Sequence, residues 1–159
     1  MGRHSGYLAL MGGLACGTEL TLIPEAPFTP EEVAEGIQRA YDAGKSHCII
    51  VVAEGAQHNG AAIKAYLDHQ DALPDARRFG ARLSVLGYIQ RGGAPTAFDR
   101  TLATRLGVAA TEALLQGRSG LMAGLQISQG GICLTPIEEV VSSRPALDVS
   151  LHRIAHRLA

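Results

Sequence analysis

Hydrophobic and polar positions along the chain fall into blocks that predict alternating helices and strands. Leu8, Leu10, Met11 and Leu14 predict a helix over about Ser5–Cys16. A short strand, Glu19–Ile23, follows between Gly17 and Pro24. Thr29-Pro30-Glu31-Glu32 is a helix start: a capping hydroxyl, a proline at the first helical position and acids in the first turn. That helix is expected to end near Gly44. Cys48–Ala53 is unbroken and rich in β-branched residues, the pattern of a buried parallel strand. Gly60–His69 reads as a helix, Asp71–Gly80 as a polar loop and Arg82–Leu86 as a strand. Phe98–Leu115 predicts the longest helix, closed by Gly117. A strand over Leu121–Ile127, a turn at Gly130-Gly131, and short helices over Pro136–Val141 and Asp148–Leu158, with Pro145 in the link between those two helices, complete the pattern. The expected class is α/β, with a mainly parallel sheet and flanking helices.

Composition narrows the class of molecule. The 159 residues are 47% hydrophobic and 18% charged, enough for one domain with a core and unlike a disordered chain. Net charge is −1, so the chain lacks the basic footprint of a nucleic-acid binder. No apolar run approaches the ~20 residues of a membrane span, and the first residues lack the basic and apolar regions of a signal peptide. A cytoplasmic protein is the expectation. Cys16, Cys48 and Cys133 are odd in number and widely spaced, with neither a disulfide nor a metal pattern, and their apolar surroundings predict buried free thiols. His152 and His156, four apart on the last helix, lack a third ligand and read as a solvated face; no metal site is expected.

Two stretches carry candidate chemistry. In Leu86-Gly87-Tyr88-Ile89-Gln90-Arg91-Gly92-Gly93 an apolar run gives way to a phenol, an amide, a guanidinium and glycines. Open α/β sheets present binding groups in this way at strand carboxyl ends, and an arginine fork suits a phosphate or carboxylate. An ordinary strand-to-helix loop with a solvated arginine is the alternative. The chain also opens Met1-Gly2-Arg3-His4-Ser5-Gly6 ahead of an apolar helix. Glycine backbone, an arginine and a helix N-terminus together form a candidate anion site.

These stretches, with Ile23-Pro24-Glu25, Cys48–Gly55 and Ala94–Arg100 in the same order, resemble the bacterial 6-phosphofructokinase family. The resemblance runs over nearly the whole chain but only to the family's C-terminal half. It implies an incomplete phosphofructokinase fold lacking its N-terminal half. Residues 1–82 would be a fructose-6-phosphate-binding subdomain. Residues 83–159 would be the return to the larger domain plus C-terminal helices.

The implied reaction is the glycolytic transfer of a phosphoryl group to fructose 6-phosphate, giving fructose 1,6-bisphosphate. By this likeness Arg3 contacts the transferring phosphoryl group, and Met1 and Gly2 line the sugar pocket. Glu54 accepts from sugar hydroxyls, and Tyr88, Ile89, Gln90 and Arg91 form the 6-phosphate segment. Arg82 reaches the site of a neighbouring subunit, which implies a homotetramer or dimer. Mg2+ and ATP, or pyrophosphate, would bind mainly to the N-terminal half, so the chain alone is expected to be inactive. Gly17, Thr18 and Glu19 with Lys45, Ser46 and His47 resemble the segments of a regulatory nucleotide site. Ala43, however, stands where allosteric members often carry lysine, and a plain turn with a helix-end lysine is the alternative. Tyr88 departs from the histidine of ATP-dependent bacterial members and is similar to several pyrophosphate-dependent ones. A phenol donates a hydrogen bond there but does not become a cation. A non-catalytic sugar-phosphate-binding or association module is the third reading.

Overall fold

The computed structural model describes residues 2–74, 79–126, 130–143 and 147–158, with the backbone alone for Arg91 and residues 156–158. The helices are α1 (Tyr7–Cys16), α2 (Pro30–Asp42), α3 (Gly60–Asp71), α4 (Ala97–Leu115), α5 (Ile137–Ser142) and α6 (Val149–Leu158). The strands are β1 (Leu20–Leu22), β2 (Ile50–Val52), β3 (Leu121–Gln126) and β4 (Gly131–Pro136). The chain divides into two compact units, residues 1–90 with 147–159, and residues 91–146.

The first unit is built on β1 and β2, paired in parallel with Leu20 opposite Ile50 and Leu22 opposite Val52. Each strand leads out of a connection through a helix, as parallel pairing requires. Leu20, Leu22, Val33, Ile37, Ile63 and Leu67 form one buried cluster between this pair and α2 and α3. Leu10, Ile23, Ala53 and Ala155 form a second, which holds α1 and α6. Each leucine, isoleucine or valine among them, fully buried, contributes about 1.5–3 kcal/mol. The α/β expectation is therefore met by a small parallel sheet with flanking helices.

Local chemistry explains the helix boundaries. Thr29 accepts from Glu32 N while the Glu32 side chain accepts from Thr29 N, a reciprocal cap with Pro30 at the first helical position. Thr96 and Asp99 repeat the device at α4. Gly17, at φ 62°, closes α1 in the left-handed region. Two close approaches weld the helices to β1. A Cβ on Gly13 would overlap Thr21 Oγ1, and a Cβ on Gly36 would lie 2.9 Å from Leu20 Cδ1.

The second unit is α4, the antiparallel hairpin β3–β4 and α5, with Leu121 opposite Pro136 and Gln126 opposite Gly131. Strand β4 was not foreseen, because Pro136 reads as a helix start; it is instead the last strand residue and the N-cap of α5.

Three further expectations are corrected. Arg82–Leu86 is not a strand: it has no strand assignment and leads into a 3-10 helix, Gly87–Arg91. Val85 is 84% and Leu86 61% exposed, so the apolar run has neither a ladder partner nor a covering layer among the described residues. Cys16 is exposed rather than buried, while Cys48 and Cys133 are half-buried. His152 is not on a solvated face: its Nε2 lies 2.8 Å from Thr21 O. Leu20 N and Leu22 O face β2, so Thr21 O points to the opposite edge of β1, where the imidazole N–H satisfies it. Pro145, Ile127 and the side chain of His156 lie outside the described residues.

Candidate functional site

Parallel strands put their carboxyl ends on the same side, and three loops gather there. Leu22 runs into the tight turn Ile23–Ala26, in which Ala26 N donates to Ile23 O over 3.2 Å. Val52 runs through Ala53, whose N–H donates to Leu22 O, into the turn carrying Glu54 and Gly55. The third loop is Gly2–Gly6, which leads into α1. Ser5 N donates to Gly2 O over 2.9 Å, with Gly2 at φ 96° and Arg3 at φ 41°. Arg3 is the non-glycine residue of left-handed φ among the described residues, a strained conformation that persists only when neighbours enforce it.

Those neighbours are visible. A Cβ on Gly55 would overlap the Arg3 carbonyl oxygen and lie 2.9 Å from the Arg3 carbonyl carbon and 3.4 Å from His4 Cα. Backbone meets backbone there, with no room for a side chain. On the other flank Gly6 N donates to both Glu25 carboxylate oxygens at 3.0 Å each. A Cβ on Gly6 would overlap Ile23 and lie 2.7 Å from Glu25 Oε2. The structure thus joins the Arg3 loop to Glu25 on one side and to the Glu54–Gly55 turn on the other. Glu54 and Arg3 are both exposed at this edge, as a group that meets a ligand from solvent must be.

At the start of α1, two of the backbone donors have partners within the chain. The Gly6 N–H is taken by Glu25, and Tyr7 N donates to Ser5 Oγ over 3.3 Å. These two helix donors are engaged within the chain, and the exposed Arg3 guanidinium is a cation this loop carries beside them. Met1 lies outside the described residues. Tyr88, Ile89 and Gln90 stand exposed on the 3-10 helix; Tyr88 is 82% exposed. The Arg91 side chain is outside the described set. Arg82 borders a cleft of about 140 Å³ with Tyr41, Cys48, Ile63 and Phe79. The larger cleft, about 360 Å³, lies along β1 and α2 beside His152 and away from Arg3 and Glu54.

The opposite, amino end of the parallel pair gathers most of the remaining candidates. Gly17 caps α1, and Thr18 N donates to Gly13 O. Thr18 Oγ1 lies 3.2 Å from Thr21 Oγ1. The buried Glu19 carboxylate accepts from Ile49 N at 2.6 Å and from Lys45 Nζ at 3.3 Å. Burial opposes its charge, but the bonds from Ile49 N, its own N–H and Lys45 outweigh this and hold the carboxyl below the ordinary range. The Cys48 thiol is pushed up to about 11, first by burial and then by the Glu19 charge, with Lys45 acting the other way. Ser46 and His47 are exposed and touch each other, Oγ to Nδ1 at 3.3 Å. Both Glu19 oxygens are therefore engaged within the chain, as a structural tie between β1 and the approach to β2. Among the described residues no three His, Cys, Asp or Glu side chains group as a metal site.

Sequence reasoning missed the structural parts of Glu25, Gly55 and His152. All three act through contacts distant in sequence, and only the bare glycine in Glu54-Gly55 hinted at one of them.

Residues 1–114 match the family profile described as Phosphofructokinase. The ATP-dependent 6-phosphofructokinase 1 of Thermus thermophilus is 46% identical over 161 residues, and the ATP-dependent 6-phosphofructokinase of Bacillus licheniformis 41% over 159. Each match takes in the whole of this chain and 47% of the relative, so the chain spans about half the length of these proteins. Phosphofructokinase from Saccharomyces cerevisiae superposes on all of the chain with TM-score 0.75 at 31% identity, covering 22% of that structure. A pyrophosphate-dependent phosphofructokinase from Marinobacter aquaeolei superposes on 94% of it with TM-score 0.72 at 29% identity, covering 41% of that structure.

Proposed function

Because the chain belongs to the phosphofructokinase family, we propose that it is the C-terminal half of an ATP-dependent 6-phosphofructokinase and supplies the sugar-phosphate side of the active site. The reaction is phosphoryl transfer from ATP to fructose 6-phosphate in glycolysis, in the cytoplasm. The observation that carries this reading is the gathering of the Arg3 loop, Glu25 and Glu54-Gly55 at the carboxyl end of a parallel pair, where open α/β sheets bind their ligands.

Each residue has a part that its chemistry allows. Arg3, on a strained and enclosed backbone, offers a fixed positive charge to the phosphoryl group as negative charge develops on it. Glu54 accepts from sugar hydroxyls; Met1 and Gly2 border the sugar. Tyr88, Ile89 and Gln90 lead to Arg91, whose fork grips the 6-phosphate. Arg82 reaches a neighbouring subunit's site in a homo-oligomer, a tetramer or dimer. Residues 1–82 form the sugar-phosphate subdomain, and the chain from residue 83 returns to the larger domain before its C-terminal helices. The exposure of Val85, Leu86, Phe98, Leu114, Leu115 and Val141 supports that return, since so much apolar surface calls for a partner layer.

ATP and Mg2+ belong to the other half. Among the described residues no three His, Cys, Asp or Glu side chains group to hold the ion. Regulation by a nucleotide at Gly17-Thr18-Glu19 and Lys45-Ser46-His47 would require the Glu19 tie to open.

Tyr88 in place of histidine, together with the Marinobacter aquaeolei structure, favours a second reading, the pyrophosphate-dependent reaction. The sugar side is common to both. Calorimetric titration of the 159-residue chain with fructose 6-phosphate tests it: saturable binding that Arg91→Ala abolishes supports the reading, and no heat of binding in a folded chain contradicts it.

A further inference from the structure

We propose that Glu25 is a positioning residue that holds Arg3 in place by capping α1 from the neighbouring strand end; its relevance to catalysis rests on the reading of Arg3 given above. Gly6, the N-cap of α1, has no side chain with which to satisfy the first helix donors. The cap comes instead from 19 residues away, with both Glu25 oxygens on the one N–H at 3.0 Å. A carboxylate at a helix N-terminus also opposes the positive end of the helix dipole. The turn Ile23–Ala26 aims this side chain, and the bare Gly6 lets it approach.

The consequence falls on Arg3. Its loop runs from Gly2 to Gly6 and is held at two places, the Gly55 backbone at one end and the Glu25 carboxylate at the other. Arg3, at the Gly55 contact, keeps φ 41°. With the Glu25 clamp removed, the loop relaxes toward ordinary backbone angles and the guanidinium loses its fixed starting point. A carboxylate beside an anion-binding loop also carries an electrostatic cost for an incoming phosphate, which its engagement with the helix start offsets.

The experiment is NMR on the 159-residue chain, comparing Glu25→Ala and Glu25→Gln with the parent. Three quantities are read: exchange of the Gly6 amide, nuclear Overhauser contacts between Gly55 and Arg3, and fructose 6-phosphate affinity. Loss of a cap predicts about fivefold faster Gly6 exchange in Glu25→Ala. The Gly55–Arg3 contacts weaken and the sugar phosphate binds less tightly. Glu25→Gln, whose amide oxygen still accepts from Gly6, restores all three, which a purely global stability effect would not do. If Glu25→Ala does not fold, Glu25→Asp, too short to reach Gly6, stands in for it. Persistence of the Gly55–Arg3 contacts after loss of the cap overturns the proposal. Loss of those contacts in a chain that binds no fructose 6-phosphate upholds the positioning and overturns the substrate reading instead.

Discussion

Replacing Gly55 by alanine places one methyl group where the structure has none to spare. The added Cβ would overlap the Arg3 carbonyl oxygen, with the Arg3 carbonyl carbon 2.9 Å and His4 Cα 3.4 Å away. Every one of these atoms is backbone, so no flexible side-chain end can swing aside. Either the Arg3–His4 segment or the Glu54 turn must move, by roughly 1.5–2 Å to reach ordinary contact. Overpacking of this kind costs about 1–3 kcal/mol, and the upper part of that range applies because only backbone can yield. A 1 Å displacement of a group that positions a reacting centre costs roughly 10²-fold in rate. The assay is urea denaturation of the chain, paired with fructose 6-phosphate titration of the same sample. Gly12→Ala is the control. It sits in α1 with no atom within 4 Å of its Cβ position, and gains about 0.5–1 kcal/mol from helix propensity. If Gly55→Ala matches the parent in both stability and affinity, the enclosure of Arg3 by Gly55 is refuted.

Other expectations follow from the same structure. At pH 8, iodoacetamide should label the exposed Cys16 well before Cys48, whose thiol stays protonated with its pKa pushed up to about 11; peptide mass mapping over time reads this. Glu19→Gln should bring the Cys48 value down by removing a nearby negative charge, which a pH series of labelling rates would show. The Glu19 carboxyl is held below its ordinary value of 4.5, so its stabilisation is present above that pH and is lost as pH falls through the lower folded value. Acid denaturation of Glu19→Gln should therefore show lower stability at neutral pH and a shallower decline below pH 4.5. His152→Ala leaves Thr21 O at the edge of β1 without its imidazole donor, and should cost about 1–2 kcal/mol by thermal denaturation.

Much of this fold was legible because the signals are local. Thr29-Pro30-Glu31-Glu32 carries its capping box in four residues, and the β-branched run Cys48–Ala53 holds the strand Ile50–Val52, which is half-buried rather than buried. What failed depends on partners. Leu83, Val85 and Leu86 are as apolar as a buried strand, yet a strand needs an edge to pair with, and no sequence pattern supplies one. β4 was hidden by Pro136, whose fixed φ suits a strand end and a helix N-cap alike. His152 lies 131 residues from Thr21, so its spacing from His156 said nothing of the contact it makes. At the candidate site, Arg3 and Glu54 stood out through their motifs. Glu25 and Gly55, which enclose the Arg3 loop, became visible only when two strand ends were brought side by side.

The central claim, that this chain is the sugar side of a phosphofructokinase, is tested most directly by a chimaera. Residues 1–159 would replace the matching 161 residues of the Thermus thermophilus ATP-dependent 6-phosphofructokinase 1, and fructose 1,6-bisphosphate formation would be followed by a coupled assay. The account predicts ATP-dependent turnover that Arg3→Ala removes. A folded chimaera that binds ATP but does not phosphorylate fructose 6-phosphate would contradict it.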